Sequence, residues 1–342
     1  MPSASLSSQR ASLRWLSNEY FEQNGDNIEI LENPPSSLEF SRLVHISRPV
    51  VIKGLKVPAS TLWSDEYLID RMGARQISIA VTPNGLADAV TVGPDDQFFF
   101  VEPLLDKMTM AEFLSNISTN LMSNNEDICY LQSQNGNLYS GDDFAGQGIQ
   151  SFSEFEPLRS DVPSEIAFCT EALGRSPDAV NLWIGDGRSV TSIHSDPYEN
   201  IYTVLRGAKH FTLLPPTEGW CLNECRFPHA SYQRCSKTGK LFVQPSEGVD
   251  NIRWSSVSSP HITGALPQEA HPIHITLGPG DTLYLPAGWW HHVRQLPGAT
   301  TIALNWWYDM EMRGMSWVML SFLRGINEVP FGNTDEDDEE VE

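Results

Sequence analysis

From Val180 onward the chain is punctuated too often for long helices. Asn181–Gly185, Ser189–His194, Ile201–Leu205 and His210–Leu214 are short apolar or alternating runs. His274–Leu277, Thr282–Leu285, His291–Gln295 and Thr301–Trp307 follow in the same rhythm. Gly and Pro lie between them, as in Arg206-Gly207-Ala208-Lys209 and Gly278-Pro279-Gly280-Asp281. Pro lacks the N–H a ladder needs and Gly tolerates positive φ, so both interrupt strands and favour turns. Many short strands separated this way predict a mainly β sandwich or barrel with flanking helices, here a double-stranded jelly roll. The interior of such a barrel can hold a ligand near one mouth.

The first third is mixed. Arg10–Gln23 places Leu13, Leu16, Tyr20 and Phe21 near helical spacing. Ser36-Ser37-Leu38-Glu39 and Thr109-Met110-Ala111-Glu112 are capping-box patterns, opening helices toward Val44 and about Met122. Pro49–Gly54, Gln76–Val81, Phe98–Val101 and Ile128–Gln132 read as strands. The expected organisation is an N-terminal helical extension (1–33), a catalytic barrel with its own α/β part (34–309), a C-terminal helical segment (310–330) and an acidic disordered tail (331–342). Met315, Trp317, Val318, Leu320, Phe322 and Leu323 give the C-terminal segment its apolar, helical pattern. Pro215–His271 breaks the strand rhythm. A segment of that length inside a barrel is either a functional loop or carries small elements of its own.

The formal net charge is −22, and Asp335–Glu342 contains seven acids. Such a surface repels phosphate backbones and disfavours direct nucleic-acid binding; it favours a basic partner or a cationic target side chain. No apolar stretch reaches the roughly 18 residues of a membrane helix, and Met1–Trp15 has no secretory pattern. Five scattered Cys, an odd number, read as reduced thiols of a cytoplasmic or nuclear protein. Cys221, Cys225, His229 and Cys235 fit no standard zinc spacing.

The chemistry concentrates in His194-Ser195-Asp196 and in His291-His292. Residues i and i+2 of a strand share a face, so His194 and Asp196 can reach one metal while Ser195 turns away. A second imidazole from a distant strand completes two histidines and one carboxylate, a set that leaves part of the metal open. That suits Fe(II), which must take a co-substrate and O2 together. Catalytic zinc more often uses three His or two His with Glu. Parity alone does not choose between His291 and His292. An anionic co-substrate also needs a buried cation. Lys209 is a candidate on the next strand, although an exposed hairpin-end lysine would read the same. Thr191, Tyr130, Asn200 and Asn305 are candidate polar partners.

Read together, these residues resemble the JmjC family of Fe(II)- and 2-oxoglutarate-dependent oxygenases, over about Pro34 to Trp317. The likeness is carried by the metal motif and by the stretches Val81–Val90, Glu171–Gly185, Tyr198–Tyr202 and Asn305–Glu311. It implies a cupin-like fold with His194, Asp196 and His291 as iron ligands. It implies that Lys209 pairs with the distal carboxylate of 2-oxoglutarate beside the hydroxyls of Thr191 and Tyr130. Asn200, Asn305, Trp183 and Trp307 would line the pocket. The implied reaction consumes 2-oxoglutarate and O2, yields succinate and CO2, and hydroxylates a lysine in a partner such as a developmentally regulated GTP-binding protein. A homodimer through the C-terminal helical segment is implied too. Histone N-methyl-lysine demethylation uses the same metal chemistry and is the alternative enzyme. A non-catalytic cupin binding protein is the alternative outside enzymes. Peptidase chemistry has no support in the chain, which lacks HExxH and a nucleophile elbow. Cys221–Pro260 does not follow the family pattern and would shape the substrate entrance.

Overall fold

The computed structural model describes residues 6–120, 127–132, 138–139 and 153–325; the acidic segment 331–342 lies outside them. Eight strands build the barrel: β1 Ala179–Gly185, β2 Val190–Ser195, β3 Tyr198–Arg206, β4 Lys209–Leu214, β5 Ile273–Leu277, β6 Thr282–Leu285, β7 Trp290–Gln295 and β8 Thr301–Asp309. The major sheet has the order Glu29–Leu31, Val50–Ile52, β6, β3, β8, β1. The minor sheet runs β5, β4, β7, β2, Leu86–Ala87. Successive barrel strands thus fall in opposite sheets, except β4 and β5, which pair with each other in the minor sheet, the expected jelly roll.

Strand alternation explains how one sheet serves two cores. From β3, Tyr202 and Val204 face the barrel interior, where they meet Phe211, Leu213, Leu283, Leu285, Val293 and Ala303. Ile201 and Leu205 face the other way, with Leu182, Ile184, Tyr284, Leu304, Trp306 and Tyr308. There they pack against the N-terminal α/β part. The helix Ser37–Ile46 contributes Phe40, which packs edge-on to Tyr284 at 5.0 Å. Its predicted capping box is present: the Ser36 hydroxyl accepts from the Glu39 amide and the Glu39 carboxylate accepts from the Ser36 amide. The second box forms likewise between Thr109 and Glu112.

The β3–β4 hairpin positions Lys209. Gly207 sits at φ +72, and a Cβ there would lie 2.3 Å from the Thr301 hydroxyl and 2.8 Å from its Cα. Both the dihedral and the close approach therefore require glycine.

Two expectations change. Pro215–His271 contains a 3-10 helix, Pro216–Leu222, and four short strands. Glu224–Phe227 pairs with Ile252–Ser255. The hairpin His229–Arg234/Leu241–Pro245 joins Phe98–Glu102 and Ala89–Val92 in a four-stranded sheet. These strands were hidden because they are half-exposed and polar on one side. The C-terminal helix spans Gly314–Gly325 rather than starting at Met310, since β8 continues to Asp309 and the Met310 amide bonds to the Pro197 carbonyl. Among the described residues, no helix is long and apolar enough to cross a membrane. All five cysteines are free thiols.

Candidate metal centre

The β2–β7 ladder brings the two halves of the motif together. Register places His194 directly opposite His291, after a bulge between Thr191 and His194. Asp196 lies one residue beyond the end of β2. Its carbonyl accepts from the Gly288 amide in the turn that leads into β7. The backbone thereby ties the carboxylate to the strand carrying the distant histidine.

The side-chain geometry follows. Nδ1 of His194 lies 2.8 Å from the Ser192 carbonyl, and Nδ1 of His291 lies 3.1 Å from the Trp289 carbonyl. A carbonyl can only accept, so each ring carries its proton on Nδ1 and presents a bare Nε2. Both Nε2 atoms face Asp196 Oδ2, at 3.4 and 3.6 Å. That oxygen is buried and has no hydrogen-bond partner. Two ligand atoms bound at about 2.1 Å and at right angles to one ion lie about 3 Å apart, so the spacing fits a shared metal. Among the described residues, this is the one group of three potential ligands whose donor atoms converge. Three ligands from one side leave coordination positions free, as oxygenase iron requires.

Electrostatics distinguishes the two rings. Burial pulls the His194 pKa down, but the Asp196 carboxylate and the Ser192 carbonyl more than offset it, and the ring ends above its ordinary value. Burial and the neighbouring His194 lower His291 to about 4. Burial alone would raise Asp196; the two imidazoles outweigh it and keep the carboxyl below its usual range.

Trp183, Thr191, Asn200, Asn305 and Trp307, all expected at the pocket, line the cavity beside this group. Trp183 Nε1 donates to Asn305 Oδ1 at 2.7 Å, and Asn305 Nδ2 donates to Asn200 Oδ1 at 3.0 Å. The chain of donors fixes which way each amide points. Trp307 stacks on Tyr198 at 4.8 Å, and its buried Nε1 has no partner.

Lys209 is not an exposed hairpin lysine. It is fully buried, its Nζ donates to the Tyr130 hydroxyl at 3.1 Å, and the ammonium sits 5.2 Å from that ring. Burial lowers its pKa from 10.5 to about 7. Thr191 hydrogen-bonds Tyr130 in turn. Lys209 and Tyr130 stand behind the lining residues rather than among them. Gln295 opposes Lys209 across the β4–β7 ladder, and both of its amide atoms are buried and unpaired. A Cβ on Gly185 would lie 2.5 Å from Gln295 Nε2 and 2.7 Å from Tyr130 Cδ2, so only glycine leaves this end of the barrel open.

His292 faces away from the metal group, as parity requires once His291 faces in. It is nevertheless 99% buried rather than a surface residue. Cys221 donates to the Glu218 carbonyl and joins no metal cluster among the described residues. Sequence reasoning missed Tyr202, Phe211 and Val293, which line the cavity. Each sits two positions from a residue already singled out (Asn200, Lys209, His291), so the same parity argument finds them. It also missed Trp254, which stacks parallel to His194 at 6.0 Å and donates from Nε1 to Ser192 Oγ. No local signal marks Trp254, because the Pro215–His271 segment returns it to the site from far along the chain.

Residues 35–314 match the family described as Cupin-like domain. The chain is 36% identical to the lysine-specific demethylase JMJ32 of Arabidopsis thaliana, over 88% of this chain and 87% of that protein. It is 34% identical to JmjC domain-containing protein E of Dictyostelium discoideum, with 87% and 88% covered. It is also 34% identical to the bifunctional peptidase and (3S)-lysyl hydroxylase JMJD7 of Homo sapiens, with 83% and 84% covered. Fold, convergent His-Asp-His group and relatives agree: the chain belongs to the cupin-like JmjC family of dioxygenases.

Proposed function

We propose that the chain is an Fe(II)- and 2-oxoglutarate-dependent hydroxylase of a lysine side chain in a partner protein. The observation that carries this reading is the pairing, in one barrel, of an open His194–Asp196–His291 group with the buried and uncompensated cation of Lys209. In this reading those three residues hold the iron, and Lys209, with Tyr130 and Thr191, receives the distal carboxylate of 2-oxoglutarate. Iron with 2-oxoglutarate and O2 supplies the oxidising chemistry. The protein holds the two Nε2 atoms and Oδ2 in place through the Ser192, Trp289 and Gly288 backbone bonds. Asn200 and Asn305 orient polar groups of the co-substrate, while Tyr202, Phe211 and Val293 exclude water.

The human relative, named a lysyl hydroxylase, supports hydroxylation, and the chain's net charge of −22 suits a cationic target. A GTP-binding protein is the partner we propose. The Arabidopsis relative, named a lysine-specific demethylase, favours a second reading, lysine demethylation. The two differ in product. Incubation with unmodified and N-methylated lysine peptides should give a stable gain of one oxygen atom on the unmodified peptide, read by mass spectrometry. Release of formaldehyde from the methylated peptide alone would overturn the hydroxylase reading. Absence of any 2-oxoglutarate turnover would leave a binding protein.

We further propose that the enzyme is a homodimer through the Gly314–Gly325 helix. That helix buries none of its residues, and Met315, Val318, Met319 and Phe322 are all exposed. Exposed apolar clusters of this size mark interfaces. Gel filtration should show a dimer that Trp317→Glu converts to a monomer; an unchanged elution volume would remove this helix as the interface.

A further inference from the structure

The minor sheet carries a second concentration of imidazoles on its outer face. In β4, β5 and β7 the residues His210, His274, His292 and Arg294 have the parity opposite to Phe211 and His291, and so point away from the metal group. Register lays them out in two adjoining rows: Thr276, His210 and Arg294 in one, His274, Thr212 and His292 in the next. His261, from the segment between β4 and β5, covers this face and stacks on His292 at 5.2 Å and 14°. His210 and His274 lie parallel at 6.2 Å and 8°. Four of the nine histidines of the chain thus surround one arginine.

Several of their polar atoms are aimed at nothing. His292 is 1% exposed, yet neither of its ring nitrogens has a hydrogen-bond partner. His261 Nδ1 and Arg294 Nε are likewise buried and unpaired. Each unpaired buried donor or acceptor costs about 1–3 kcal/mol, so four such atoms in one place call for a ligand. Among the described residues Arg294 makes no ion pair, and the charges acting on the four rings come from Arg294 and other imidazoles, never from a carboxylate. Burial first, with Arg294 adding to it, holds His210, His261 and His274 below their ordinary values. His210 and His274 already bond through Nδ1 to the Thr276 and Thr212 hydroxyls, so the unpaired polar atoms of this face belong to His261, His292 and Arg294.

A metal does not fit. Among the described residues, the ring nitrogens here do not converge as those of the catalytic group do, and the central guanidinium repels a cation. A fixed positive charge ringed by neutral donors is a site for an oxyanion. A carboxylate accepts along one plane, whereas a phosphoryl group accepts from several directions, as donors from a strand and from a covering segment require. The surrounding acidity repels polyanions, so a single phosphoryl group suits the face and a nucleic-acid backbone does not.

We propose that the outer face of the minor sheet binds one phosphoryl group, held by the Arg294 guanidinium and the ring N–H groups of His261 and His292, opposite the metal-binding side. The group is either free phosphate or is carried on a partner's side chain. The test follows histidine ring resonances by NMR as inorganic phosphate, and separately a phosphoserine peptide, is added to the metal-loaded full chain. Saturable shifts of His210, His261 and His274 are expected, with His45 and His229 unmoved. Tighter binding of the peptide would identify a phosphorylated partner, and equal binding would identify free phosphate. Arg294→Gln should weaken the interaction at least about tenfold, the loss of one charge-assisted contact. Arg294→Lys, which keeps the charge without the fork, should fall between, and His261→Ala tests the covering segment should Arg294→Gln fail to fold. Shifts that never saturate, or that are the same in folded Arg294→Gln, would overturn the proposal. So would Zn(II) moving these rings where phosphate does not.

Discussion

Asp196→Ala is expected to abolish conversion of 2-oxoglutarate to succinate while leaving the metal-free protein about as stable as before. The two halves of this result come from one atom. Asp196 Oδ2 is buried and unpaired in the protein itself, with two Nε2 atoms facing it at 3.4 and 3.6 Å. Removing it relieves a desolvated carboxylate and leaves His194 and His291, each with a bare Nε2, as neutral imidazoles rather than as unpaired buried charges, so the net change in stability is small. The metal has no such compensation. Loss of an outer partner of a metal ligand commonly costs about 10–100-fold in affinity, and loss of the ligand itself costs at least the upper end of that range. Thermal unfolding with and without Mn(II) or Fe(II) separates the halves. The parent should gain about 2.7 kcal/mol at a metal concentration of 100 Kd; the variant should gain no more than about 0.4 kcal/mol at that concentration. A variant that gains as much stability from metal as the parent, or that unfolds without it, would contradict the assignment of Asp196 as a ligand.

Lys209→Met should raise the dissociation constant for 2-oxoglutarate by about 100-fold or more, because a buried charge pair that loses one partner costs about 3–5 kcal/mol. The same substitution should stabilise the protein free of co-substrate. Burial alone depresses Lys209 from 10.5 to about 7. The unfolded chain therefore binds one more proton than the folded chain between those two values. Stability of the parent rises with pH across that window, and the cost is carried in full below about pH 7. At about 1.36 kcal/mol per unit the whole cost is of order 4–5 kcal/mol. The Met variant should lack this slope. The sign reverses for binding: a 2-oxoglutarate dianion returns the proton to Lys209, so affinity should fall as pH rises above about 7. Denaturant unfolding between neutral and alkaline pH checks the first slope, and titration calorimetry over the same range checks the second. Affinity independent of pH would show that Lys209 does not meet the carboxylate.

The barrel was largely legible in the chain because its strands are short and Gly or Pro stands between most of them. All eight were anticipated within a few residues, and the largest length error arose where β3, Tyr198–Arg206, runs past both ends of its apolar centre, Ile201–Leu205. Parity placed Asp196 beside His194 but could not separate His291 from His292; that needed the cross-strand register, a property of two strands at once. Lys209 was ambiguous for a related reason. A lysine at a hairpin end is exposed unless the barrel closes over it, and closure depends on Tyr130 and Gly185 arriving from elsewhere. The Pro215–His271 segment was opaque because its strands bury little apolar surface and pair with Phe98–Glu102, more than a hundred residues earlier.

His194 and Asp196 are near neighbours in the chain, while His291 follows 97 residues after His194. The two histidines meet only across a finished ladder, after the intervening segment has been laid down and β7 has paired with β2. An incompletely folded chain offers one imidazole and one carboxylate, half of a site, and holds an ion correspondingly weakly. On the proposed iron-binding reading, the complete set of three ligands exists only in molecules that have closed their barrel, so metal uptake would follow assembly rather than precede it.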